Sequence, residues 1–459
     1  MYKNCYVTRG EEWGRHNIHL WDDSGYSVEE YVEKGYIECS ESEATHRGLN
    51  GEPLKIIDSW SKAQWNEDQT LKKEGTPNMH YSDHNQSNIH NKFLIEKYGI
   101  SGEVSKTHRE LFFDIEIEIG GALTEEYISK APKPITSIAW WDKQVDEWAI
   151  VILDKTGEIE AGIQNGREII PVRRENDLIE VFLSRMEAIQ PDILVGYNSD
   201  YFDIPYLYYR IKNKLGIRTA RRLSPIRIVK EKFWYSDQRI QIAGVSSLDY
   251  MRLHKKYSFR MEPSMKLDFL GEKYVGQKKI EYDCSLDRLF KEDKQKFIEY
   301  NFVDVLILKK LDEKFQYIDL TKNLAHKGNV TYEEVYQSSR IHDGAISGYL
   351  LNQGIIPPNR SIDPILKDSY AGGYLFCPKT GIFNYMFDED LTSLYPSIIM
   401  TNNIGKESLV GRIVTHNDRD NRLALNDLEE MDQNKEFEIE NLKRQRKTMS
   451  VKELIKLIK

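Results

Sequence analysis

The stretch Leu111-Phe112-Phe113-Asp114-Ile115-Glu116-Ile117-Glu118-Ile119 constrains this chain more than any other. From Phe113 onward it alternates strictly between apolar and acidic residues, and Gly120-Gly121 ends it. A period of two is the pattern of a β-strand, whose successive side chains face opposite sides. Asp114, Glu116 and Glu118 then share one face, and Phe113, Ile115, Ile117 and Ile119 the other. Carboxylates in a row repel one another. Water at an exposed edge would relieve them, and so would a divalent cation, because hard cations favour carboxylate oxygens.

The flanking sequence gives that strand a setting. Residues 135–141 and 148–153 read as two more strands, joined by a polar turn at 142–146. Leu178, Ile179, Phe182, Leu183 and Met186 have helical spacing, 193–196 is a short apolar strand, and another helix starts near 203. Strands alternating with helices predict an α/β core, α+β overall. A hairpin is expected over 226–247, a long helix over 293–315, a crossing between domains over 340–365, and a charged tail of helical period over 428–459. The 459 residues, 40% hydrophobic and 30% charged, fit several globular domains and exclude disorder as the main state. No apolar run approaches the roughly 18 residues of a membrane helix, and the first residues lack the apolar core of a signal peptide. Cys5, Cys39, Cys284 and Cys377 lie far apart, which excludes a disulfide frame or zinc knuckle. The net charge of −9 argues only against a protein coated in positive charge.

Two further segments carry acids where chemistry would need them. Asp203, in Tyr197-Asn198-Ser199-Asp200-Tyr201-Phe202-Asp203, follows the 193–196 strand and opens a helix. It is either a helix cap or a ligand at the carboxyl end of a strand, where α/β folds place their sites. Tyr300 and Asp304, four residues apart on the long helix, project from one face.

Together Asp114-x-Glu116, Asn198-x₄-Asp203 and Tyr300-x₃-Asp304 resemble, in order and spacing, the three motifs of the DnaQ-like 3′–5′ exonucleases. The resemblance implies an RNase H-like fold and two-metal phosphodiester hydrolysis. Asp114, Glu116, Asp203 and Asp304 would bind two ions, Mg²⁺ or Mn²⁺, and Tyr300 would help place the attacking water. Glu118 matches no ligand of that family.

A second motif, Asp390-Leu391-Thr392-Ser393-Leu394-Tyr395-Pro396-Ser397-Ile398-Ile399, resembles motif A of the family B DNA polymerases nearly letter for letter. The resemblance implies that Asp390 and the Leu391 carbonyl bind two catalytic metals, that the backbone at Ser393 and Leu394 holds triphosphate, and that Tyr395 packs under the sugar. Tyr370-Ala371-Gly372-Gly373 resembles that family's Tyr-x-Gly-Gly element, implying that Tyr370, Gly372 and Gly373 contact DNA. Residues 106–405 resemble the polymerases of T-even-type bacteriophages, and residues 1–105 only loosely. Residues 210–232 hold nine Lys or Arg and one acid, Glu231. Beside the aromatic run at 233–235, Arg221, Arg222, Trp234 and Tyr235 are expected DNA contacts.

The organisation implied is an N-terminal domain at 1–105 with a return segment at 340–365, an exonuclease domain at 106–339, a partial palm at 366–440 and the start of a fingers helix at 441–459. Only 69 residues follow Asp390, and neither Asn-Ser-x-Tyr-Gly nor Asp-Thr-Asp occurs among them. The apolar stripe Val451, Leu454, Ile455 and Ile458 is expected to await another chain. The reading is therefore the amino-terminal subunit of a family B polymerase. It would carry a complete exonuclease and need a complementing carboxy-terminal chain for synthesis. A truncated exonuclease or a nucleic-acid-binding repressor is the alternative. Partners implied are primer–template and single-stranded DNA, deoxynucleoside triphosphates and a sliding clamp, with no membrane, in the cytoplasm of an infected bacterial host.

Overall fold

The computed structural model describes residues 1–12, 14–49, 51–57, 80–82, 89–99, 103–118, 122–234, 237–258, 261–357, 381–385, 387, 389–402, 404, 411–413, 431–441 and 446–458. The chain divides into two compact units, Met1–Lys367 and Asp368–Lys459.

The first unit is built on a seven-stranded sheet in the order Gly162–Gln164, Arg167–Val172, Glu147–Leu153, Ile135–Asp142, Glu110–Ile117, Ile193–Gly196, Ser246–Asp249. Ile135–Asp142 runs antiparallel to both its neighbours, while Ile193–Gly196 runs parallel to Glu110–Ile117 and to Ser246–Asp249. This order is consistent with the expected RNase H-like arrangement. The strands predicted at 135–141 and 148–153 pair as a hairpin, Trp148 opposite Trp141. The two strands beyond it, with Pro171 inside Arg167–Val172, carried no alternating pattern.

Alternation in Glu110–Ile117 sorts its side chains between two cores. Phe113, Ile115 and Ile117 join Leu178, Phe182, Leu183 and Tyr206, from the helices Glu175–Ile189 and Asp203–Leu215. Phe112 joins Phe297, Phe302 and Leu308 of the long helix Lys294–Phe315 on the opposite side. Asp114 and Glu116 follow Phe112 on that second face, so they are turned toward the long helix. Asp293 caps the helix by accepting the N–H of Lys296 at 2.9 Å. Deeper in, the Ser137 hydroxyl donates to Asn301 Oδ1 at 2.6 Å, a buried bond tying helix to sheet one residue from Tyr300.

The first residues form a separate antiparallel sheet, Tyr2–Arg9, Arg15–Asp22 and Gly25–Val32, with Ile89–Tyr98 against it. Part of the segment read as a crossing is a helix, Ser338–Asn352. After it Ile355–Ile356 pairs with Arg47–Gly48 of the N-terminal strands.

The second unit corrects the expectation of a helical tail. Glu436–Asn441 and Arg446–Ser450 form an antiparallel pair, and among the described residues of this tail Val451–Ile458 alone is helical. Glu436-Phe437-Glu438-Ile439-Glu440 alternates with period two, and that pattern outweighs its charge content. The apolar stripe of the last helix is also not left waiting. Val451 and Leu454 are buried with Ile439 and packed by Met431, Phe437 and Met449. The hairpin thus covers Val451 and Leu454 of the stripe, with Ile455 partly buried against them.

Candidate active site

Three elements of the sheet end converge. Asp114 and Glu116 come from the central strand and Asp304 from the long helix; one carboxylate oxygen of each lies within 4.8 Å of the others. Among the described residues this is the group of acidic, histidine or cysteine side chains close enough to hold an ion. Asp203 arrives from a third direction, at the first turn of its helix. The parallel pairing of Ile193–Gly196 stops opposite Phe112, and the N–H of Ile115 beyond it donates to Asp203 Oδ1 at 3.2 Å. The strand and the long helix thus bring together three of the acids predicted from spacing, and the helix start sets Asp203 beside them on the Ile115 N–H. Glu118 lies past the strand, 4.0 Å from Lys155 Nζ, as a solvated neighbour.

Gly196 makes the turn toward Asp203 possible by close approach. A Cβ at this position would sit 2.5 Å from the Ser199 Cβ and 3.3 Å from the Phe113 ring. Gly196→Ala is therefore expected to destabilise the first unit by about 1–3 kcal/mol, the usual cost of overpacking, as a lowered denaturant midpoint.

The acids pay electrostatically for their proximity. Burial, and then Asp203, Asp304 and Glu116, push Asp114 well above the carboxylate range. Burial, and then Asp304, push Glu116 up to about 8. Asp203 rises to about 7, mainly by burial and against the Ile115 N–H bond. Such shifts mark groups placed for a cation or a proton.

Lys279, which the sequence reading passed over, stands at the centre of this charge. Its Nζ lies 2.5 Å from Asp304 Oδ2 and donates to the Tyr300 hydroxyl at 3.2 Å. Burial would lower its pKa, but Asp304, Tyr300 and Asp114 outweigh that and hold it above the usual lysine range. Its signal in the sequence was a basic pair, Lys278-Lys279, in the segment between the hairpin and the predicted long helix. Asp304 Oδ1 is buried without a hydrogen-bond partner. An orphaned carboxylate oxygen facing two more carboxylates is the donor set a hard divalent cation takes.

The other predicted residues fare differently. Asp390 and Leu391 are exposed, and Ser393, with φ 53°, begins the helix Leu394–Thr401 on which Tyr395 is also exposed. Tyr370, Gly372, Gly373 and Tyr235 lie outside the described residues. Trp234 ends a strand of the hairpin Val229–Trp234 with Asp237–Ile242. The basic run at 210–232 is far less free than its count implied. Arg222 pairs with Glu180 at 2.6 Å and Glu187 at 2.8 Å, and Arg227 also pairs with Glu187. Arg210 and Lys214 pair with Glu175, and Lys212 with Glu231. Arg221 is exposed.

Two sequence models match this chain: DNA polymerase family B, exonuclease domain, over residues 80–270, and DNA polymerase family B over residues 331–457. The chain is 31% identical over 418 residues to the DNA-directed DNA polymerase of Escherichia phage RB69, covering 83% of this chain and 44% of that protein. With the DNA-directed DNA polymerase of Enterobacteria phage T4 it shares 31% over 282 residues, 59% of this chain and 31% of that one. With the DNA polymerase of Pyrococcus glycovorans it shares 26% over 330 residues, 69% and 40% respectively. It thus spans less than half the length of these relatives. The match to both parts of one family agrees with the acidic cluster and with the Asp390 motif: the chain belongs to the family B DNA polymerases.

Proposed function

We infer that this chain degrades single-stranded DNA from its 3′ end, in the proofreading role of a phage replicative polymerase in an infected bacterial cell. The observation that carries this is the meeting of Asp114, Glu116 and Asp304 within 4.8 Å, with Asp203 anchored on the same strand. These four residues would hold two divalent ions, Mg²⁺ or Mn²⁺. When bound, the ions would supply an activated water and charge stabilisation at the leaving 3′ oxygen. Lys279 steadies the Asp304 carboxylate and holds a proton against the Tyr300 oxygen. That leaves the Tyr300 hydroxyl hydrogen directed away from Lys279 and toward the Asp304 carboxylate, whose pKa burial raises and the Tyr300 bond lowers; with ions bound, the hydroxyl would help place the attacking water.

Asp390 is proposed as one half of a nucleotidyl-transfer site, with the Leu391 carbonyl on metal, Ser393 and Leu394 on triphosphate and Tyr395 under the sugar. This unit is read as palm leading to fingers. Its match to the polymerase over 331–457 supports that reading. The second metal-binding acid would come from a complementing carboxy-terminal polypeptide, proposed as a separate chain, and the clamp would be a further partner.

The test is the purified protein on 5′-labelled single-stranded DNA with Mg²⁺. A ladder shortened from the 3′ end, abolished by chelator and by Asp203→Ala, is expected. Nuclease that survives loss of the four carboxylates would overturn the site. Primer extension should appear only on adding the complementing polypeptide, and no extension with it would defeat the half-site reading.

A further inference from the structure

The loop 197–202 delivers Asp203, and a carboxylate outside the metal-binding set holds that loop. Asp249 ends the parallel strand Ser246–Asp249 and is fully buried. Its Oδ1 accepts the N–H of Met251 at 2.9 Å and of Arg252 at 3.4 Å, capping the helix Tyr250–Tyr257. The same oxygen accepts the N–H of Asn198 at 3.0 Å, and Oδ2 accepts that of Asp200 at 3.4 Å. One side chain therefore ties a helix start to the neighbouring loop. Asn198 needs such a tie, since its φ of 61° is left-handed and costs a non-glycine residue about 1 kcal/mol or more.

The tie is itself braced. Asp200 accepts the Ser247 hydroxyl at 2.9 Å and is paired with Arg252, whose guanidinium lies 3.6 Å over the Tyr336 ring. The Tyr336 hydroxyl donates to the Asp249 carbonyl at 3.3 Å, and the Ser247 N–H to Glu333 at 3.0 Å. Three residues past Asp200 the helix begins, and with it the Asp203 carboxylate.

We propose that Asp249 is a positioning residue of the exonuclease site: it fixes the backbone at 198–200 and so places the Asp203 carboxylate, without touching substrate. The proposal deepens the exonuclease reading and rests on it. A plain helix cap would lose stability on truncation and nothing else.

The experiment compares wild type, Asp249→Ala, Asp249→Asn and Asp154→Ala as full chains, each checked for folding by circular dichroism. Asp154 is a control of the same kind, a buried carboxylate taking the N–H of Gly157 at 3.0 Å and of Ile159 at 2.9 Å in a turn outside the cluster, and pairing with Lys294 at the far end of the long helix, ten residues from Asp304. Mn²⁺ binding is followed by electron paramagnetic resonance, and kcat and KM on single-stranded DNA by mononucleotide release. Asp249→Ala should weaken Mn²⁺ binding and lower kcat by roughly 10–100-fold, as outer-sphere partners of metal sites do, with KM within about threefold. Asp249→Asn keeps an acceptor oxygen and should recover all but about two- to fivefold of that loss. Asp154→Ala should lower the unfolding midpoint but leave Mn²⁺ affinity and kcat alone. The proposal fails if a folded Asp249→Ala stays within twofold of wild type in both readouts, or if Asp154→Ala matches its losses. Should the alanine variant not fold, Asp249→Asn decides through Mn²⁺ alone, and an affinity within twofold of wild type overturns the proposal. A wild-type chain that binds Mn²⁺ yet lacks nuclease would sink the exonuclease reading while the Mn²⁺ comparison still judges Asp249.

Discussion

Asp114→Asn and Asp304→Ala are expected to lose exonuclease activity alike, by about a thousandfold, and to change stability in opposite directions. The activity loss follows from removing one charge-stabilising group at a site that works by electrostatics. The stabilities diverge because the two carboxylates have different company. Asp114 faces Asp203, Asp304 and Glu116, all of its own sign, and burial raises its pKa further. Its neutral isostere relieves that repulsion, so the metal-free Asp114→Asn protein should unfold at a higher temperature than wild type. Asp304 holds Lys279, the cation of the cluster among the described residues, at 2.5 Å. Truncating it leaves an ammonium without its partner. The expected cost is about 1–3 kcal/mol, below the range for a fully buried pair because Lys279 keeps some exposure. Thermal melts in chelator, beside nuclease assays in Mg²⁺, check both halves. Equal stability changes for the two variants would mean that Lys279 and the acids do not interact as their geometry implies.

The second expectation concerns pH. Glu116 is raised from an ordinary 4.5 to about 8, and Asp203 from 3.8 to about 7, each first by burial. A carboxyl with a higher pKa in the folded than in the unfolded state binds its proton more tightly when folded. The stability this contributes is fully present below the unfolded values and is lost as pH rises through about 7 and 8. The metal-free protein should therefore lose melting temperature between pH 5 and pH 8.5. Divalent metal acts oppositely, because it needs the deprotonated acids. Mg²⁺ or Mn²⁺ should raise the melting temperature little near pH 5 and strongly near pH 8. Asp114→Asn should flatten both dependences. A metal-induced shift of equal size at pH 5 and pH 8 would exclude these carboxylates as the ligands.

The chemistry was legible in the sequence wherever it was local. Alternation through Phe113–Ile117 dictated which residues share a face, because the two-residue period of a strand leaves no choice. The spacing of Tyr300 and Asp304 set them on one side of a helix for the same kind of reason. Asp203 was readable as a helix-start acid, though as either cap or ligand. The position of its helix against the N–H of Ile115 decided that it stands beside the strand of Asp114 and Glu116. Counting charge along the chain overstated the unpaired basic charge at 210–232, because acids 35–42 residues upstream, Glu175, Glu180 and Glu187, lie across from Arg210, Lys214 and Arg222 in space. The charged tail misled likewise, since a hairpin partner at 446–450 makes period two the winning pattern at 436–441.

By itself, then, the sequence determined the family, four acids as candidates for an exonuclease site and the strand that carries two of them, all properties of short range or of motif. Only the tertiary structure decided that the long helix crosses at Asp304, that Lys279 enters the same cluster, and that Asp249 grips the loop before Asp203. Those depend on which elements pack together, and burial then turns their proximity into raised pKa values that no local pattern contains.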